Sequence, residues 1–229
     1  MLPRIQYAPT SDGASIAFWA LGDGVPIVLM YPPGFSNIQF EWDIPEFRAT
    51  YENVAEWATV IRFDQRNHGL SERGLAGVSL DPDRVASLSL FRTNAGPATS
   101  APSPGWTSLV PLIRHDWHLF TNLMATALNG LDDGEQTSRI AQFIRESVTA
   151  AEFESAGSAL AAIDVQGVLP EVKVPVLVMH RMDTPFFRID TARQLVSTIA
   201  DARLSVLPGK SPIAWDNAVV EAVRAFVLE

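Results

Sequence analysis

The chain has 229 residues, 47% of them hydrophobic and 19% charged, so it can bury a substantial core and fits one large α/β domain as well as two small ones. The formal net charge is −9, and no basic cluster occurs, which argues against nucleic acid as a partner because phosphate contacts need clustered lysine and arginine. Cysteine is absent, so disulfide bonds and thiolate metal sites are excluded.

The amino terminus, residues 1–7, has neither the basic lead nor the apolar core of a signal peptide. The longest apolar runs, such as residues 174–179, are too short to cross a bilayer. We therefore expect a cytoplasmic bacterial protein that has no membrane partner.

The first part of the chain predicts an antiparallel hairpin over residues 5–8 and 14–21. The apolar run 26–30 comes next, and it is typical of a strand buried on both faces of a parallel sheet. Apolar residues at helical spacing then predict a helix over 45–58, followed by a strand over 59–63. A further strand is predicted at 87–91.

The second half of the chain begins with a predominantly helical stretch, residues 108–163, in which 149–152 has the spacing of a capping box. Strands and helices then alternate over 174–180, 189–199, 203–207 and 218–228. This alternation predicts a mostly parallel α/β sheet with helices on both faces. We expect a single domain over 1–229, with a helical cap inserted at about 105–163.

Two segments resemble the α/β-hydrolase superfamily. Residues 64–71, Asp-Gln-Arg-Asn-His-Gly-Leu-Ser, are similar to its Asp-x-Arg-Gly-x-Gly-x-Ser loop, with Asn67 in place of the first glycine. Asparagine tolerates the left-handed conformation that this position needs. Residues 174–183 resemble the strand that delivers the acid of the catalytic triad, and residues 203–209 resemble the last strand.

A narrower resemblance links the chain to bacterial α/β-hydrolase domains found beside, or fused to, adenylate-cyclase or helix-turn-helix regulators. It is carried by the opening residues 3–19, by Asp116-Trp117 with Leu119-Phe120, and by residues 143–149. This likeness covers nearly the whole chain apart from one interruption.

The resemblance implies acyl-transfer chemistry, which needs a nucleophile on a sharp strand-to-helix turn, a histidine base and backbone N–H groups for the oxyanion. No Gly-x-Ser-x-Gly occurs; the segments 34–36, 69–71 and 209–211, for example, each lack the second glycine. Residues 78–81 resemble the start of the helix before the nucleophile strand, whereas 83–88 already resemble the segment beyond that strand. One helix–strand–helix unit, on the order of 40 residues, is therefore absent.

Two candidate site residues still align with functional positions of the family pattern. Asp183 stands at the position of the triad acid, and the backbone N–H of Phe35 is the candidate oxyanion donor. Pro212 stands where the histidine base would be, and proline has no side-chain proton acceptor. We expect His180 to be a packing residue, and His68 lies in a loop where the family places no base.

Other candidate sites are weaker. His115 and His118 share a helix face and could form a zinc pair. No further ligands lie nearby in the sequence, so we favour the interpretation that they are ordinary polar residues of a helix. Glu41 and Asp43 flank an aromatic residue, and we expect them on a solvated or cap-facing surface. The sequence predicts no cofactor and no metal.

Three functions stay open. The first is an inactive relative that binds a small apolar molecule between sheet and cap, or serves as an accessory module. The second is an ester hydrolase with a divergent nucleophile such as Ser36 or Ser211, and the third is a truncated form of a longer active enzyme. In each case the strands that flank the lost one must pair directly or accept a strand from another chain, and a homo-oligomer could form through these edges.

Overall fold

The computed structural model describes residues 3–32, 35–73, 85–93, 95–96, 104–129, 134–183, 188–209 and 215–229. Its strands are β1 Gln6–Pro9, β2 Ser15–Leu21, β3 Val25–Leu29, β4 Ala58–Phe63, β5 Leu88–Phe91, β6 Val176–Arg181 and β7 Ala202–Leu207. Its α-helices are α1 Pro45–Ala55, α2 Pro104–Leu109, α3 Leu112–His115, α4 Trp117–Asn129, α5 Gly134–Ser147, α6 Ala150–Ala162, α7 Ile189–Thr198 and α8 Asn217–Val227. Short 3-10 helices occupy Phe40–Asp43 and Gln166–Glu171.

The predicted order of elements is confirmed, with boundaries shifted by a few residues. The hairpin of β1 and β2 is antiparallel, and Thr149 caps α6 in a capping box with Glu152. Ala58 belongs to β4 rather than to the preceding helix, because its register pairs it with Val25 of β3. No helix in the described ranges is both long and apolar enough to span a bilayer.

The strands form two sheets in the described residues. The first has the order β1-β2-β4-β3, in which β3 and β4 are parallel and the other pairs are antiparallel. The second has the order β5-β6-β7 and is entirely parallel. The fold is therefore α/β with a mostly parallel core. β3 is the last strand of one sheet and β5 the first strand of the other, and no described strand pairs with the free edge of either.

No strand pairing joins the two sheets in the described residues, but strands of both pack against one apolar cluster. Ile27 of β3 and Phe91 of β5 both pack against the apolar cluster that contains Val219 and Val223 of α8. Direct pairing of β3 with β5, one of the two expected solutions, is wrong for the described residues. Within those residues, β3 and β5 thus have one hydrogen-bonded neighbour each.

The prediction that residues 26–30 are buried on both faces is also wrong. Val28 is 59% exposed and Met30 is 58% exposed, whereas Leu29, which points to the opposite face, is only 4% exposed. Pro26 shares the open face with Val28. β3 is the end strand of its sheet, and no described helix covers one of its faces. The apolar side chains on that face therefore stay in water.

The helices α2–α6 pack on the side of the molecule that holds the first sheet, and aromatic side chains make these contacts. Phe143 of α5 stacks on Phe40 with ring centroids 6.2 Å apart and lies 5.5 Å from Phe47 of α1. Phe153 of α6 meets the ring of Phe35 at 6.4 Å. These contacts join the helical stretch to the main core, and its role as a separate cap stays a prediction.

A buried ion pair links β4 to the loop after β3. Arg62 donates to Glu41 through Nε at 3.0 Å and through Nη2 at 2.6 Å, and both side chains have no exposed surface. Tyr51 of α1 donates a further hydrogen bond to Glu41. Burial raises the pKa of the Glu41 carboxyl, and Arg62 opposes this rise. The expectation of a surface position is therefore wrong for Glu41, whereas Asp43 is exposed as expected.

Substitution Glu41→Gln should lower the free energy of unfolding by about 3–5 kcal/mol, because it leaves the buried Arg62 charge without a partner. Urea denaturation followed by circular dichroism would measure this change. The matched control is Glu135→Gln, whose exposed pair with Arg139 on α5 should contribute under about 0.5 kcal/mol. Equal effects of the two substitutions would contradict this account of the ion pair.

Candidate active site

The loops that follow β3 and β6 carry the predicted site residues, and the loop after β4 carries a further buried carboxylate. Phe35, Asp64 and Asp183 each come shortly after the carboxyl end of one of these strands. Ligands and catalytic groups of open α/β sheets collect at that edge. Of these three, Phe35 and Asp183 are the sequence-predicted residues, and their roles in a site stay predictions.

Asp64 organises the first part of this edge. Its Oδ1 accepts hydrogen bonds from Ser36 Oγ and from the Ile38 N–H, both at 3.0 Å, and its Oδ2 accepts one from the Leu70 N–H at 2.8 Å. Burial raises the pKa of Asp64, and these donors oppose the rise. Gly69 has φ +48°, and a Cβ there would lie 2.1 Å from Asp64 Oδ2, so only glycine fits.

The loop after β4 also contains the residue that replaces a family glycine. Asn67 adopts the expected left-handed conformation, with φ 66°. Asparagine accepts this conformation at a smaller cost than most other residues. The loop therefore keeps the backbone shape that the resemblance implies.

Ser36 is a structural residue in this arrangement. Its side chain is fully buried, its hydroxyl donates to Asp64, and it accepts a hydrogen bond from Arg62 Nη2 at 3.2 Å. A nucleophilic serine instead needs a hydroxyl that a substrate can reach, beside a base that is free to take its proton, whereas Ser36 is buried and Asp64 is already bonded to two backbone N–H groups. The geometry therefore argues against Ser36 as the divergent nucleophile, whereas Ser211 and Pro212 lie outside the described residues.

The backbone N–H of Phe35, the predicted oxyanion donor, is engaged in a turn. It donates to the carbonyl oxygen of Pro32 at 3.1 Å. An oxyanion hole needs N–H groups aimed at the reacting oxygen. Phe35 would have to give up this turn before it could bind an oxyanion, and its role stays a prediction.

Asp183 follows β6 in a turn and is exposed. The ladder between β6 and β7 continues up to Met182, whose N–H donates to Leu207 O at 3.4 Å. Just before it, Arg181 is buried and bonds both the Pro208 carbonyl and the Asp216 carboxylate. In the described residues Asp183 has no histidine partner, and its role as a triad acid stays a prediction.

The histidines are spread over the fold. His68 is buried, with Nδ1 2.8 Å from the Arg66 carbonyl oxygen, and His118 lies 3.2 Å from Asn122 on α4. His180 is 2% exposed within β6, in agreement with a packing role. His115 is exposed at the end of α3. In the part of the chain that is described, no group of three or more histidine, aspartate or glutamate side chains could hold a metal ion.

A cavity of about 400 Å³ lies between α1 and the start of α8. It is lined by Glu46, Ala49, Thr50, Trp215, Asp216, Asn217 and Ala218. Two of these side chains are carboxylates, and none of the lining residues comes from the helices α2–α6. A site for an apolar molecule between sheet and cap therefore stays a prediction.

Comparison with solved structures identifies the fold. Over 98% of its length the chain superposes on 98% of an esterase from Rhodococcus sp. ECU1013, with a TM-score of 0.78 at 18% identity. It also superposes, over 98% of its length, on 99% of an esterase from Exiguobacterium antarcticum, with a TM-score of 0.73 at 16% identity. An enol-lactonase from Burkholderia xenovorans LB400 matches at 21% identity over 98% of this chain and all of that one, with a TM-score of 0.70.

The chain therefore has the α/β-hydrolase fold. No family model and no curated protein matches its sequence. The narrower resemblance to domains beside regulators stays a prediction, because none of these three solved structures is described as such a domain.

The sequence interpretation missed the buried ion pair at Glu41. The available signal was Arg62, a charged residue inside the otherwise apolar strand 59–63. A charge in a buried strand needs a partner of opposite sign. The nearest acidic residues that precede this strand in a loop include Glu41, so the pair could have been proposed.

Substitution Ser36→Ala should lower the free energy of unfolding by about 1–3 kcal/mol, because the buried Asp64 carboxylate loses a donor. Urea denaturation would measure the change. Ser138→Ala on the exposed side of α5 is the control and should have little effect. A Ser36→Ala protein of unchanged stability would refute the structural role of this hydroxyl.

Proposed function

We propose that this chain keeps the scaffold of an ester-hydrolysing protein but does not hydrolyse esters itself, and that it serves as an accessory or binding module. The observation that carries the proposal is the absence, within the described residues, of a strand between β3 and β5. In the resembled family, the nucleophile stands at the end of that strand. A reaction that needs a nucleophile on a strained turn therefore lacks its first component.

The contacts of the remaining polar groups support the same conclusion. The Ser36 hydroxyl donates to Asp64, and the Phe35 N–H donates to Pro32. His68 faces a backbone carbonyl through Nδ1. Each of these groups stabilises a loop, so none is preorganised for acyl transfer.

A truncated form of a longer enzyme is the second candidate. It is favoured by the exposure of Val28 and Met30, because a helix after the nucleophile strand would be expected to cover that face. The solved structures of similar fold are described as esterases and an enol-lactonase. We therefore assign ester or lactone bonds as the substrate class of such a parent.

Activity on p-nitrophenyl acetate tests the proposal. The wild-type chain should give no saturable turnover above the background of an unfolded sample, and Asp183→Asn should leave that rate unchanged. Ser211→Ala covers the remaining candidate nucleophile. Saturable turnover that either substitution abolishes would overturn the proposal and establish a divergent active site.

The source gene distinguishes the two candidates. Reading its transcript across the codons for residues 80–84 should give the uninterrupted sequence if the chain is a natural inactive relative. An intervening segment that encodes Gly-x-Ser-x-Gly would instead make this chain a shortened form of an active enzyme.

A further inference from the structure

One face of the first sheet consists of uncharged side chains from three neighbouring strands. Residues that are partners in the ladder point to the same face, so Phe18 lies beside Phe63 and Val28 lies beside Ile61. We call this surface the open face. Its members are Ile16, Phe18 and Ala20 of β2, Thr59, Ile61 and Phe63 of β4, Pro26 and Val28 of β3, and Met30 just beyond β3.

The two faces of this sheet differ in burial. On the opposite face, Trp19 and Val60 are fully buried in the cluster that contains Phe47 and Tyr51 of α1. On the open face, four side chains are partly buried, and in the described residues none of them packs against any of the three buried apolar clusters: Ile16, Phe18, Ile61 and Phe63. Because Val28 and Met30 are also more than half exposed, a single chain leaves this apolar surface in water.

The charge of the chain indicates what can cover the open face. The formal net charge is −9, so two copies repel each other across most approaches. No member of the open face is ionisable, so two copies can meet there without burying a charge. The same lack of charge offers a basic or an acidic partner no charge pattern to recognise. The surface that matches a flat, uncharged, apolar face is another such face, and a second copy supplies one.

The geometry of sheet packing also fits a second copy. Two sheet faces pack about 10 Å apart with their strands within about 30° of each other. A twofold axis presents the same face on both copies, so each face is counted twice in the contact. About 500 Å² on each copy therefore reaches the roughly 1,000 Å² in total that a specific interface needs. Exposed apolar patches of about 300–600 Å² are those that often serve a function.

We propose that the open face is the interface of a symmetric dimer of this chain, formed by packing of one first sheet on the other. This contact differs from pairing at the strand edges, because it leaves the hydrogen-bonding edges of every strand unchanged. Its area lies near the lower end for specific interfaces, so the dissociation constant should be on the order of micromolar. The proposal goes beyond the proposed function and does not depend on it.

Sedimentation velocity tests the proposal on the full chain. The wild type should pass from monomer to dimer between about 1 µM and about 200 µM. Ala20→Glu and Val28→Glu each place a charge in the apolar contact and should weaken the dimer at least about tenfold. The matched control is Val206→Glu on β7, where the valine is 45% exposed, and it should dimerise as the wild type does.

Two comparisons separate the open face from other contacts. Ala20 lies on β2, which has β1 and β4 as neighbours, so pairing of copies at the free edge of β3 would not respond to Ala20→Glu. An equal mixture of Val28→Glu and Val28→Lys chains brings opposite charges together across the twofold axis. This mixture should associate more tightly than either variant alone, because a symmetric contact uses the same face of both copies.

Three results would overturn the proposal. One is a wild type that stays monomeric up to about 200 µM. Another is a dimer that Ala20→Glu leaves intact, which would indicate a contact at a strand edge. The third is equal weakening by Val206→Glu and Val28→Glu. Thermal melts followed by circular dichroism identify any variant that does not fold, and the other variant and the mixed pair then decide the outcome.

Discussion

An interior strand of a parallel sheet needs a hydrogen-bonded neighbour on each side, and β3 and β5 each have one in the described chain. This constraint explains the main features of the fold. The described strands form two sheets, and Ile27 of one and Phe91 of the other pack against the same apolar cluster of β6 and α8 residues. The face of Val28 remains in water because no described helix covers it. The chain has the α/β-hydrolase fold although the described strands form two separate sheets.

Acyl-transfer chemistry is affected by the same division of the sheet at β3 and β5. Acyl transfer in this fold depends on a side chain held at the end of the central strand, next to an imidazole. The carboxyl edge retains a structural network in which Arg62, Glu41 and Asp64 hold the loops after β3 and β4. Ser36 belongs to that network and not to a catalytic pair. The fold alone therefore does not establish activity.

Periodicity and turn chemistry predicted most of the elements, because they are local properties of the chain. The hairpin of β1 and β2 and the Thr149 cap were predictable in this way. The exposure of Val28 was not, because an apolar run gives a strand buried on both faces only where helices cover both faces. Glu41 was misplaced for a related reason, since its burial depends on Arg62, 21 positions away. At the site, the positions of Asp183 and Phe35 came from the family pattern, whereas the turn that engages the Phe35 N–H is visible only in three dimensions.

Reaction with a fluorophosphonate, which forms a covalent bond with activated serines, tests the central claim most directly. Intact-mass spectrometry of the folded chain after incubation should show only unmodified protein, because Ser36, the described candidate serine, is fully buried and bonded to Asp64 and not to a histidine. One adduct per chain on a single serine, lost when the protein is unfolded before treatment, would contradict the account. Such an adduct would mean that another part of the chain supplies an activated nucleophile.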